Sequence, residues 1–204
     1  NLNDFIVSRY SKSYTAMKLK DTDEVVNVCI TKPNVLIVTK TGYYLNYMAS
    51  EIPLSGPKAA GVKGINLKDD TVISGICYSE KDEYIDIFTN QKTAKRVKLS
   101  ELNMLSRAKR GTTLIKKVKS TNYEIIKAFS TSTKDIIGIK SKDDIYLVKN
   151  SDIPIMDKES TGSVILKQTI SDVFISQELD IIKDEDIELP KIKKEEEKIQ
   201  ELTI

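Results

Sequence analysis

The sequence predicts an all-β fold of repeated four-stranded blades set around a common axis. Three observations predict it. A unit of about fifty residues recurs along the chain, each copy divides into short β-branched or aromatic runs separated by turn residues, and no segment before residue 177 sustains a helical period.

The repeat is anchored by GYYLNYMASEIP, Gly42 to Pro53. KTAKRVKLSELN (Lys92 to Asn103) matches it at an offset of 50 and DDIYLVKNSDIP (Asp143 to Pro154) at 101, both without gaps. All three carry Ser, an acid, then Ile or Leu: Ser50-Glu51-Ile52, Ser100-Glu101-Leu102 and Ser151-Asp152-Ile153. Upstream, VLIVTKTG, IDIFTNQK and IIGIKSKD fall in the same registers, and downstream Gly61, Gly111 and Gly162 coincide. The opening NDFI (Asn3 to Ile6) reads as a fourth box, followed by AMKLKD (Ala16 to Asp21) where the next copy has GINLKD (Gly64 to Asp69), so the chain is expected to start within a repeat.

Within a unit, VVNVCI, VLIVT and YYLNYM are separated by turn residues at Lys32-Pro33-Asn34 and Lys40-Thr41-Gly42, the pattern of hairpins. After the box comes SEIPLSGPKAAGVKGINLKDD (Ser50 to Asp70), too rich in Gly and Pro for a helix, and then a further run, VISGICY, with Asp69-Asp70 marking a turn. That makes about four strands per unit, with the long loop joining one strand pair to the next. Units of this kind hide their edges by packing radially; a solenoid of hairpins is the alternative. The expected blades are a partial one over 1–30, then about 31–80, 81–131 and 132–176, with an acidic tail over 177–204.

Composition bounds the function. The chain has 204 residues, 40% apolar and 30% charged, without a transmembrane-length run or a secretory leader, which predicts a cytoplasmic protein with no membrane contact. It has no histidine, which removes most acid–base and nucleophile constellations. Cys29 and Cys77 lie in apolar runs without the spacing of a metal site or disulfide framework, and are expected to be buried structural thiols. The first residue is not Met, so a longer parent is expected.

The net charge of +2 is unevenly spread. Residues 177–204 carry −5 and residues 1–176 carry +7; Ile87 to Lys127 alone holds eleven Lys/Arg against Glu101 and Glu124. One block carries the positive charge, as phosphate neutralisation requires.

The box and loop together, EIPLSGPKAAGVKGINLKDD, resemble the repeat of the C-terminal domain found in the A subunits of bacterial type IIA topoisomerases, DNA gyrase and topoisomerase IV: E-x-P, then G-R-x-A-x-G-V-x-G-I-x-L, then a D-D or G-D turn. The likeness runs through nearly all of residues 1–176 and is best kept from Gly42 to Gly75. It implies a β-pinwheel, a propeller-like ring whose blades exchange strands and whose rim bends DNA. It also implies a domain without catalytic residues or cofactor, ATP and Mg acting elsewhere in the parent. The implied partners are double-stranded DNA, the parent's own catalytic core and the B subunit of an A2B2 assembly, with a place at the bacterial nucleoid. The gyrase branch carries a Q-R-R-G-G-K-G box. Its nearest counterpart here is SRAKRGT (Ser106 to Thr112), a departure that favours the topoisomerase IV branch, which positions DNA segments for decatenation and relaxation, over the gyrase wrapping domain.

The preferred DNA contacts are Arg107, Lys109 and Arg110, followed by Lys116, Lys117 and Lys119, because a loop imposes no alternation on its side chains. Lys58 and Lys63 hold related loop positions one unit earlier. Arg96 and Lys98 complete the set, on the face of TAKRVK opposite Lys95 and Val97. Tyr43, Tyr44 and Tyr47 are read as packing residues between blades. In the tail the expectation is a disordered end or docked helix whose acids compete with DNA for the basic block while Ile181, Ile182 and Ile187 dock on the ring. The reading from another class is a propeller-type protein-interaction scaffold, which would need no basic rim.

Overall fold

A computed structural model of the chain describes residues 1–6, 11, 13–20 and 22–176. The tail expectations lie outside the described residues. In chain order the strands are β1 (Asn34–Thr39), β2 (Tyr43–Met48), β3 (Val72–Tyr78), β4 (Tyr84–Thr89), β5 (Thr93–Lys98), β6 (Thr112–Thr113), β7 (Ile125–Thr131), β8 (Ile136–Lys140), β9 (Ile145–Lys149), β10 (Ser163–Val164) and β11 (Asp172–Ser176). They form three sheets, in the orders β3-β1-β2-β6, β10-β5-β4-β7 and β11-β8-β9.

Each sheet is a hairpin extended on one or both sides. The hairpin β1–β2 pairs Val38 with Tyr44, and β3 adds antiparallel to β1 with Ile37 opposite Gly75. The outermost strand is supplied by the next unit. β6 pairs with β2 through Tyr43–Thr113 and Tyr44–Thr112, and β10 pairs with β5 through Ala94–Ser163 and Thr93–Val164. The strand exchange expected of a β-pinwheel is therefore present at both of these junctions. Among the described residues β9 has no such outer strand, and Ile145 and Leu147 are exposed along it.

The box has one conformation throughout. Ala49–Glu51, Leu99–Glu101 and Asn150–Asp152 are each one turn of 3-10 helix, as are residues Leu2–Phe5 at the proposed fourth box. The repeated glycines fall where the loop needs a left-handed backbone: Gly61, Gly111 and Gly162 have φ of +77°, +86° and +82°. At Gly111 the requirement is also steric, because a Cβ there would run into the Tyr44 carbonyl.

Apolar faces pack between successive sheets. Leu36, Val38 and Tyr44 of the first sheet meet Ile85, Ile87 and Val97 of the second; Phe88 and Ala94 of the second meet Ile137, Ile139 and Val173 of the third. A sheet covered on both faces loses the alternation of a half-exposed one, and Thr93 through Val97 of β5 are all buried. Truncating a fully buried Ile or Leu in such a layer costs about 2–5 kcal/mol.

Two expectations need correction. VVNVCI (Val25 to Ile30) is not a strand, and Val28 and Ile30 are 84% and 88% exposed. By the repeat offset it corresponds to β3, which is held by the hairpin of its own unit, and the described residues before Val25 supply no hairpin for it. The second is the burial of both thiols: Cys29 is exposed and Cys77 only half-buried.

Candidate nucleic-acid interface

The loops that follow each box run side by side, tied by recurring backbone bonds. Lys18 N–H donates to the Ala59 carbonyl (3.1 Å), Asn66 N–H to Lys109 (2.8 Å) and Lys116 N–H to Glu159 (2.7 Å). Lys58 N–H returns a bond to Ala16 (3.1 Å) and Ala108 N–H returns one to Gly64 (2.8 Å). The same rim geometry is thus built at successive junctions, and side chains differ from one to the next. This is why a degraded repeat can keep its fold while changing its charge.

The second of these loops concentrates the positive groups. The Arg110 guanidinium carbon lies 4.4 Å from the centroid of the Tyr43 ring, and Lys117 Nζ lies 5.5 Å from the same centroid. Tyr43 opens β2 and Arg110 leads into β6, so strand exchange carries Arg110 and Lys117 to one ring. A half-buried aromatic ring under two cations contributes about 0.5–1 kcal/mol per contact and narrows the directions in which they point. Lys109, Lys116, Lys117 and Lys119 are exposed and Arg110 is half-buried. Among the described residues the ion pairs are Asn1–Asp4, Lys32–Asp82, Lys40–Glu124 and Lys127–Asp172, so none of these five cations is neutralised by a carboxylate.

Arg107 sits differently from its neighbours. Its backbone N–H donates to Glu51 Oε2 (2.8 Å), Nε to the Glu51 carbonyl (2.9 Å) and Nη1 to the Lys63 carbonyl (2.6 Å). It fastens the loop to the preceding box and brings Lys63 beside it, so it positions the rim more than it offers free charge. Lys63 is exposed, its Nζ donating to Asn66 Oδ1 (2.7 Å). Lys58 is exposed at the corresponding turn of the first loop, with φ of +64° matching Ala108 at +63°. Lys98, at the end of β5 opposite Tyr84, is also exposed.

Arg96 is placed otherwise than the alternation of TAKRVK suggests. It is buried, Nε donating to the Ile153 carbonyl (2.7 Å) and Nη2 to Ser151 (3.2 Å), with its guanidinium 5.2 Å from the Tyr84 ring centroid. Both faces of β5 are covered by neighbouring sheets, so strand parity does not select a solvent face there. Lys95, the residue sequence reasoning passed over, is also buried. Its Nζ donates to the carbonyls of Leu114 (2.8 Å), Lys158 (2.6 Å) and Ser160 (2.7 Å), with Asp157 at 3.3 Å. Burial pulls this ammonium down to about 7, against the carboxylates of Asp157 and Glu159, which pull it up. It ties the basic loop to the next one, a role that no local sequence signal marks.

Asp86 lies opposite Arg96 across β4 and β5. It is fully buried, and neither carboxylate oxygen accepts a hydrogen bond. Burial pushes it up to about 7, with Thr131 and the Arg96 charge acting in the opposite direction. Among the described residues no group of three or more His, Cys, Asp or Glu side chains could hold a metal, and no helix is long and apolar enough to cross a membrane.

Comparison with known proteins agrees with this architecture. A family model described as "DNA gyrase C-terminal domain, beta-propeller" matches residues 1–32, 33–78 and 84–132. The A subunit of DNA topoisomerase 4 from Bacillus subtilis is 33% identical over 166 residues, covering 79% of this chain and 20% of the relative. Its counterpart from Streptococcus pneumoniae is 33% identical over 181 residues, covering 79% and 22%. The chain therefore spans about a fifth of the length of these curated relatives. Among solved structures, the C-terminal domain of DNA topoisomerase IV superposes with a TM-score of 0.79 at 34% identity, over 85% of this chain and 56% of that one. The DNA gyrase A C-terminal domain superposes at 0.69 over 78% and 57%; at 22% identity that likeness is one of fold. Strand-exchanged blades and a family match over more than half the chain lead to one conclusion: this chain belongs to the DNA gyrase C-terminal domain family of β-propellers.

Proposed function

We propose that this domain binds and bends duplex DNA for a bacterial type II topoisomerase, topoisomerase IV, positioning segments for the strand passage that decatenates and relaxes DNA. The observation that supports the reading best is the set of unneutralised cations on the strand-exchange loop, with Arg110 and Lys117 gathered over Tyr43. Such a surface recognises the evenly spaced phosphates of a duplex. Contacts of this kind position a duplex without reading its bases, so the expected binding is independent of sequence.

On this reading the domain is not itself catalytic and needs no cofactor. ATP hydrolysis, Mg and the DNA-cleaving residue belong to the rest of an A2B2 enzyme acting in the bacterial cytoplasm, at the nucleoid. The partners are double-stranded DNA, the parent's own catalytic core and the B subunit. Replacing Lys109, Arg110 and Lys117 together with alanine tests the reading. Fluorescence anisotropy on three unrelated duplexes is expected to show the same loss of affinity on each. Unchanged affinity would sink the reading, and a loss confined to one sequence would replace phosphate recognition by base readout.

A further inference from the structure

We propose that Cys29 and Cys77 are a dithiol–disulfide pair that can covalently lock the first, partial unit to the first complete blade. The two residues hold the same place in successive units: an offset of 48 relates Cys29 to Cys77, as it relates AMKLKD to GINLKD. Equivalent residues of neighbouring units face each other at this junction. Asn27 Nδ2 donates to the carbonyl of its equivalent, Gly75, at 2.5 Å, and two residues on, Cys29 Sγ lies 2.8 Å from Cys77 Sγ. Both cysteines are free thiols.

The chemistry follows from that contact. Sulfurs already touching need a movement of under about an ångström to reach the roughly 2.05 Å of a disulfide bond. Segment 25–30 is free to make the movement, since it is exposed and unpaired by any strand ladder among the described residues. The step needs an oxidant of the low-molecular-weight disulfide class. One protein thiolate attacks the oxidant, forming a mixed disulfide and releasing one small thiol. The second protein thiol loses its proton and displaces the other small thiol. Two protein thiols and one small disulfide thus become one protein disulfide and two small thiols, with two electrons passing to the oxidant. Partial desolvation where the two sulfurs touch, together with the Cys77 thiol itself, pushes the otherwise exposed Cys29 thiol up to about 11, which favours the thiol over the thiolate and slows exchange. The pair is a lock more than a fast sensor. No equivalent cysteine pair stands at the next junction, where the neighbouring contact is Ala128 N–H donating to Ser74 Oγ (3.2 Å).

The test uses the whole chain equilibrated in glutathione redox buffers, quenched with acid and mapped by mass spectrometry without reduction. The expected result is a single Cys29–Cys77 linkage within one molecule. Its effective concentration should be far above the roughly millimolar value of two groups on a flexible tether. Trypsin cleavage after Lys18 and Lys20 should slow at least severalfold in the oxidised protein and return to the reduced rate on adding dithiothreitol. Cys29→Ser should leave cleavage insensitive to glutathione. An effective concentration at or below millimolar, accumulation of glutathione-capped Cys29, or disulfide-linked dimers in place of the internal bond would overturn the proposal.

Discussion

The Arg110 guanidinium rests on the Tyr43 ring, 4.4 Å from its centroid, although the two residues belong to successive units of the repeat. They meet because β6, just after Arg110, completes the sheet that Tyr43 begins. The fold's strand exchange therefore determines where the basic loop presents its charge.

Tyr43→Ala is expected to weaken duplex binding by about two- to fivefold, the loss corresponding to about 0.5–1 kcal/mol of cation–ring attraction. Tyr43→Phe keeps the ring face and should bind as the unmodified chain does. Anisotropy titrations at one fixed salt concentration check both; equal losses from the two variants would assign the effect to the hydroxyl.

Gly111 and Gly61 share a left-handed backbone but differ in surroundings. Gly111→Ala adds a collision with the Tyr44 carbonyl and should cost several kcal/mol, whereas a Cβ at Gly61 meets open space, leaving only the conformational cost of about 1–2 kcal/mol. Urea denaturation of both variants should rank them in that order.

Lys95→Met removes the donor that Leu114, Lys158 and Ser160 share and leaves buried carbonyls without a partner. The expected cost is about 2–4 kcal/mol, with weaker DNA binding as the basic loop loosens. Thermal unfolding together with anisotropy separates the two effects, because binding should fall even at temperatures where the variant is fully folded.

Asp86 gives a pH signature. Its folded pKa of about 7 stands above the ordinary carboxylate value of 3.8, so between those values the folded chain holds a proton that the unfolded chain releases. Its contribution is complete below about pH 4 and is lost as pH rises through about 7. Asp86→Asn should flatten that fall and raise stability at about pH 8. Urea midpoints at about pH 5 and about pH 8 read it directly, and an unchanged pH slope would contradict the assignment.

The fold was legible because its markers are local. The Ser-acid-Ile/Leu box forms a 3-10 turn in every copy, and Gly61, Gly111 and Gly162 sit at one left-handed position. The rim was legible only in part. Charge clustering pointed to residues 107–119, but the division of labour between Arg107, held by Glu51 and Lys63, and Arg110, presented on Tyr43, depends on contacts across units. Arg96 departs from the alternation for a physical reason. Alternation in TAKRVK assumes a sheet with one solvent face, and β5 has none. Cys29 and Cys77 look unrelated by spacing until the repeat offset sets them side by side.

The most direct test of the account is the salt dependence of duplex binding. If the rim neutralises about five phosphates, log affinity should fall against log salt with a slope of about −4.5, and Lys109, Arg110 and Lys117 replaced together by alanine should reduce that slope by about 2.7. A flat response in the unmodified chain, or a slope that the triple variant leaves unchanged, would contradict the claim that this loop holds DNA.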